Sequence, residues 1–131
     1  MNKAHIKKLL NKLKDPYNDG YITRNNIRYY LRENPDMLFD CVAKGDKIFY
    51  NNGAIILVFG YSDNADRKYV KLLANDFVYS DDLLYQVCLE VKDELWAKIK
   101  INNPLKFVFE DNGFVFVAGR GAELLLIRKV K

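Results

Sequence analysis

Asn102-Asn103-Pro104-Leu105-Lys106-Phe107-Val108-Phe109-Glu110-Asp111-Asn112-Gly113-Phe114 is the stretch whose reading decides the fold. Proline has a φ suited to a first helical turn and lacks the amide hydrogen that such a turn leaves unpaired, so Pro104 predicts a short helix over residues 104–111. Asn102 stands where its side chain can cap that helix or order its entry. Gly113 then introduces two strands, residues 114–117 and 123–130, joined around Gly119-Arg120-Gly121. With only two glycines and no following Lys-Ser/Thr, that last segment reads as a hairpin turn and not as a phosphate loop.

Working back from this stretch, residues 96–101 alternate as a strand, and residues 81–94 form a helix with Leu84, Val87, Cys88 and Val91 on one face. Ser80 or Asp81 is the expected N-cap of that helix, with Asp82 in its first turn. Residues 68–74 read as a strand after a polar turn at 62–67. Lys47-Ile48-Phe49-Tyr50 and Ala54-Ile55-Ile56-Leu57-Val58-Phe59 flank Asn52-Gly53, the dipeptide favoured in a two-residue type I′ hairpin. Near the start, Ile6, Leu9, Leu10 and Leu13 recur at helical spacing through residues 4–14, and Asp15-Pro16 stops the helix. Asn18-Asp19-Gly20 reads as a turn, and Thr23 as the N-cap of a helix over 24–33 that places Ile27, Tyr30 and Leu31 on one face. Pro35 ends it and opens another short helix through Met37, Leu38, Cys41 and Val42, closed by Gly45. The order is helices, three antiparallel strands, helix, strand, helix and two strands.

A chain of 131 residues with 50% hydrophobic content and 9 Tyr, 8 Phe and 1 Trp can bury a real core and forms one domain. Its longest apolar run, Ala54 to Gly60, is strand-sized, so no membrane span is expected. The basic first helix has no Trp or Phe on its apolar face, which argues against a membrane surface. No apolar signal core follows Met1-Asn2-Lys3, and the reading is cytoplasmic. Cys41 and Cys88 lie far apart in apolar company and read as buried reduced thiols. With 1 His there is no zinc constellation and no Cys-His pair. The formal charge of +4, concentrated at Lys7, Lys8, Lys12 and Lys14 and at Arg128, Lys129 and Lys131, suits a solubilising surface. Nucleic-acid binding would want a denser basic stripe and is not expected.

The spacing of Asn102, Leu105, Val108, Phe109, Glu110, Asp111, Gly113 and Phe114 resembles the late helix of the GCN5-related N-acetyltransferases (GNAT). The element order is similar to that family's over residues 47–129. The resemblance implies an α+β fold of the acyl-CoA N-acyltransferase type, a mixed and mostly antiparallel sheet flanked by helices. It makes residues 1–131 a single domain whose first 45 residues are helical and atypical, since the family's first strand is not evident. It implies transfer of an acetyl group from acetyl-CoA to an amine on a small molecule or a protein, with a homodimer as one option. The alternative is a catalytically inactive binding or regulatory module on the same fold.

The resemblance also assigns a site. Leu72, Leu73, Ala74 and Asn75 would line, through their backbones, the slot in which the family pairs the pantetheine arm of acetyl-CoA. Asn102 and Phe109 fall on the family's late motif, and Asn102 there needs no more than a structural role. The next loop should read Arg or Gln, two residues, Gly, one residue, then Gly or Ala, whose bare amides cradle a pyrophosphate. The chain instead has Asp76-Phe77-Val78-Tyr79-Ser80-Asp81-Asp82, without a glycine or a basic residue. Carboxylates at the helix start would repel a phosphate roughly 6 Å away by on the order of 2–3 kcal/mol. Phe109 stands where the family usually has a proton-donating Tyr, and losing a general acid commonly costs about 10²–10⁴ in rate. Tyr79, or else Tyr85, is the substitute donor, and Asp76 at the strand end is the candidate base, with Glu110 and Glu123 as surface charges.

Overall fold

The computed structural model describes residues 3–13, 21–24, 27–31, 33–37, 39, 47–61, 64–74 and 77–130. In chain order these form α1 (Lys3–Lys12), β1 (Tyr21–Arg24), β2 (Ile27–Tyr30), β3 (Lys47–Tyr50), β4 (Ala54–Tyr61), β5 (Asn64–Ala74), α2 (Phe77–Glu90), β6 (Leu95–Lys100), α3 (Lys106–Asp111), β7 (Val115–Arg120) and β8 (Glu123–Arg128). The six-stranded sheet runs β3-β4-β5-β6-β8-β7, while β1 and β2 pair separately. Only the β5–β6 pair is parallel; the other pairs of the large sheet are antiparallel.

Strand alternation divides the apolar residues between two faces. Ala54, Ile56 and Val58 of β4, with Val70, Leu72 and Ala74 of β5, join Leu83, Leu84 and Val87 of α2 and Val108 and Phe109 of α3 in one core. Ile55, Leu57 and Phe59 of β4 point the other way and meet Ile6, Leu9, Leu10 and Leu13 of α1 in a second. β4 is covered on both faces, which is why it reads as an unbroken apolar run. Each buried Leu or Ile contributes roughly 1.5–3 kcal/mol relative to exposure, so the four α1 anchors hold that helix against its ordering entropy.

The helix expected over 24–33 is not present. Tyr21↔Tyr30 through Arg24↔Ile27 pair as an antiparallel hairpin. Tyr21, Ile22, Thr23, Ile27, Tyr29 and Tyr30 are the β-branched and aromatic residues that favour strands, and that density outweighs the capping preference of Thr23. The rings of Tyr21 and Tyr30 lie 5.8 Å apart, and the Arg28 guanidinium sits 4.3 Å from the centre of the Tyr21 ring. Of the face predicted for the helix, Leu31 alone is buried. The turn at 18–20 and most of the short helix expected after Pro35, including Cys41, Val42 and Gly45, lie outside the described residues. β5 also begins earlier than expected, with Asn64 paired to Tyr61 in place of a polar turn through residue 67.

The β3–β4 hairpin forms as predicted, but not with a type I′ turn, because Gly53 does not have the positive φ that turn requires. Asn51 organises the turn instead: its Oδ1 accepts from the Gly53 amide at 2.9 Å, and its own amide donates to the Ala54 carbonyl at 3.1 Å. Gly53 is needed for space. A Cβ at this position would lie 2.3 Å from Cδ2 of Tyr79. Gly121, with φ +61°, makes the expected turn between β7 and β8.

Candidate functional site

β5 and β6 run side by side only at their starts. Lys68 faces Leu95 and Tyr69 faces Trp96, after which the ladder ends, so residues 70–74 and 97–100 are not paired across the gap. An ion pair between Lys68 and Asp93 ties the laddered end together. Beyond it the strands diverge toward their carboxyl ends. The side chains of Leu72, Leu73 and Ala74 are buried in the two cores, so these residues present backbone to the gap. Asn75 and Asp76, the remaining slot residue and the candidate base, lie outside the described residues.

α2 begins at Phe77, four residues before the start expected from Ser80-Asp81-Asp82. Ser80 is therefore not a cap; it is fully buried inside the helix. Asp81 and Asp82 lie beyond the first turn, where the helix has no acidic residue. Asp81 accepts a hydrogen bond from Asn112 Nδ2 at 2.9 Å, which ties α2 to the end of α3. Asn112 also donates to the Val108 carbonyl, and its own carbonyl accepts from Arg128 Nε of β8 at 3.1 Å. The expected repulsion by carboxylates at the helix start is thus removed. Two residues, 75 and 76, separate β5 from α2.

Phe109 is 1% exposed and packs edge-on against Phe114, ring centres 5.1 Å apart at 80°. It is a core residue of α3, and nothing at this position can donate a proton. Asn102 is exposed and does not cap α3, whose N-cap position, Leu105, has no side-chain cap. Asn103, 3% exposed, accepts the Leu105 amide on Oδ1 at 2.9 Å, and the helix proper starts two residues after Pro104.

Tyr79 is 41% exposed, and its carbonyl accepts from Asn51 Nδ2 at 2.9 Å while its ring lies over Gly53. Tyr85 is exposed on the outer side of α2. Tyr79 also lines a cavity of about 770 Å³ between the β3–β4 turn, the start of α2 and one side of α1, where His5, Lys8 and Lys12 face it. No single sequence motif marks this cavity, since its lining comes from three separated segments. Burial pushes the Cys88 thiol above its ordinary value, only partly offset by Arg128 nearby, which makes it a poor nucleophile. Among the described residues no group of His, Cys, Asp and Glu could hold a metal ion.

No protein-family model and no curated protein sequence matches the chain. Solved structures do. Ribosomal-protein-alanine N-acetyltransferase from Brucella melitensis superimposes with a TM-score of 0.68 at 14% identity, covering 100% of this chain and 97% of the other. The chain has the GNAT fold. A second structure, of a protein assigned as a phosphinothricin N-acetyltransferase, gives a TM-score of 0.55 at 12% identity, covering 99% of this chain and 93% of the other. The GNAT fold expected from residues 102–114 is therefore present, with a mixed and mostly antiparallel sheet between helices. In this fold the β5–β6 gap is the place that the resemblance gives to the pantetheine arm of an acyl-CoA. Among the described residues no helix is long and apolar enough to cross a membrane.

Proposed function

We propose that the protein is a divergent N-acetyltransferase that binds acetyl-CoA in the β5–β6 gap and passes its acetyl group to an amine of a small molecule or a protein in the cytoplasm. The separation of β5 from β6 after Tyr69 and Trp96 is the observation that carries this reading. Strand edges that leave a ladder expose amides and carbonyls able to pair with an amide-bearing arm, and a preorganised amide can stabilise the oxyanion that forms when an amine attacks a thioester. Acetyl-CoA would supply the activated acyl group. The chain's own part is to align the thioester with the amine and to keep water away.

Proton handling departs from the family pattern. With Phe at position 109, the leaving sulfur departs as thiolate, which a thiol pKa of about 8.5 tolerates. Tyr79, 41% exposed in the first turn of α2, remains the candidate donor. Asp76 remains the candidate base. Millimolar acetyl-CoA is expected to raise the melting temperature, with about 2.7 kcal/mol of stabilisation at a hundred times the dissociation constant. No shift, together with no binding in a calorimeter, would remove the proposal.

A second reading is a non-catalytic binding or regulatory module, favoured by the core position of Phe109 and the short β5–α2 connection. It is overturned by acetyl-CoA-dependent acetylation of any member of an amine panel that disappears on Asp76→Asn or Tyr79→Phe.

A further inference from the structure

We infer that β7 docks a second copy of this chain, the two large sheets continuing into one another by antiparallel β7–β7 pairing about a two-fold axis perpendicular to the sheet. β7 stands last in the strand order, and among the described residues β8 alone pairs with it, so its other edge presents a row of amides and carbonyls on which a strand can be added. All six residues of β7 are exposed, with Val115 at 64%, Phe116 at 53% and Val117 at 53%. Proteins usually guard such an edge with Lys, Pro or a covering element. β3, at the far edge, begins with Lys47, is 4 residues long and has Ile48 and Phe49 half-buried. In β7 the run Val115-Phe116-Val117-Ala118-Gly119 contains no charge and no proline. A register shift against β8 at Val117 bends the strand but adds no charge to its edge.

The two ends of β7 say which strand fits. Arg120 closes β7, while Asp111 closes α3 just before β7 starts at Val115, and Glu110 beside it faces Lys106 at 3.8 Å. Antiparallel pairing sets the Arg120 end of each copy beside the Val115 end of the other, so the cation meets the acidic end twice. The faces match as well. Val115 pairs with Ile127 and Ala118 with Leu125, on the side of the sheet that carries Trp96 and Lys98. A cavity of about 410 Å³ opens there beside Lys98, Ala118, Arg120 and Leu125. A perpendicular two-fold axis keeps each residue on its own side of the sheet, so Val115 of the second copy arrives at the rim of this cavity. On the other side, Phe116 pairs with Leu126 and Gly119 with Leu124, both members of the α2-side core, because the shift at Val117 lets residues three apart share a face. The Phe116 ring lies along the strand toward Gly119, where a Cβ would stand 3.9 Å from its Cε2. The two Phe116 rings therefore approach one another across the axis as a cross-strand aromatic pair.

This inference does not depend on acetyl transfer. An edge of about 20 Å makes a limited contact, so the dimer should form with rising concentration. The full-length protein is followed by analytical ultracentrifugation from micromolar to millimolar concentration, where its mass is expected to climb from 15.3 kDa toward twice that value. Val117→Lys, at an exposed position, should weaken the dimer about tenfold. Arg120→Glu should weaken it about threefold, and adding Asp111→Arg in the same chain should restore it, because each exchanged end then meets its complement on the other copy. Amide exchange supplies a reading that needs no variant: the β7 amides should become protected as concentration rises, while those of β3 stay as they are. A protein that remains at 15.3 kDa throughout overturns the proposal, and an outside peptide strand pairing with β7 would then be the better account of its open edge. A dimer that tolerates Val117→Lys, or protection that appears at β3 and not at β7, also overturns it. Failure of Asp111→Arg to rescue Arg120→Glu overturns the antiparallel arrangement.

Discussion

The two faces of the sheet are built differently. On the α2 and α3 side, β4, β5, β6 and β8 all contribute buried aliphatic residues, and the core runs without interruption from Ala54 to Leu126. On the α1 side the apolar cluster is smaller among the described residues, and cations lie over aromatic rings in and beside it: Arg67 lies 4.2 Å from the Trp96 ring centre, Lys98 5.5 Å from Tyr69, and Lys71 4.6 Å from Tyr21. Among the described residues, the α2 side holds the larger apolar cluster. The other keeps charge beside apolar surface, and that is where the basic cavity lies. The contrast teaches that the chemistry of this chain is to be sought on the less densely packed face and along the β5–β6 gap, not around Phe109.

The contrast can be broken by experiment. Leu84→Ala, at a fully buried position on the α2 side, is expected to cost about 3–5 kcal/mol, and Leu13→Ala at the end of α1 nearer 2 kcal/mol, both read from urea midpoints. Equal losses would mean that the faces are equally important to folding. Phe109→Tyr sharpens the point. A hydroxyl introduced at a position 1% exposed has no partner waiting, so a loss of about 1–3 kcal/mol is expected, with no gain in any acetylation rate. A stable variant with faster turnover would return position 109 to the chemistry.

Gly53→Ala should cost about 1–2 kcal/mol by forcing Tyr79 aside, read from the same urea midpoints. An unchanged midpoint would detach the turn from Tyr79. The smallest effect concerns Cys88. Its thiol is raised by burial, so the fold favours the neutral form. That contribution is fully present below the unfolded thiol pKa and is lost as pH rises through the folded value. Between pH 7 and pH 10 the wild type should therefore lose slightly more stability than Cys88→Ala, and the native thiol should resist alkylation at pH 7.

Residues 47–128 were legible because their physics is local and redundant. The apolar alternation of β4, the Asn-Gly at its turn and the stop at Gly113 each point to the same elements. Residues 21–30 were not, because Thr23 offers a good cap while its neighbours prefer strand, and a contest between two weak preferences is decided by tertiary packing. The start of α2 was misplaced for a related reason. Ser80-Asp81-Asp82 has the composition of a cap, yet Ser80 is needed in the interior and Asp81 is taken up by Asn112. The cavity had no signature at all, since Lys8, Asn52 and Tyr79 become neighbours only through the fold.

The connection between β5 and α2 sets a length limit. Two residues of chain allow the Cα atoms of Ala74 and Phe77 to part by at most about 11 Å. Whatever enters the gap beside β5 therefore meets a helix on a short leash, unable to swing out and fold back over it as a long loop could. A ligand seated there would then be accommodated by β6, which is paired to β8 and through it to β7. Occupancy should then be sensed as far away as β7, at the opposite edge of the sheet, where slowed amide exchange would register a ligand that never touches it.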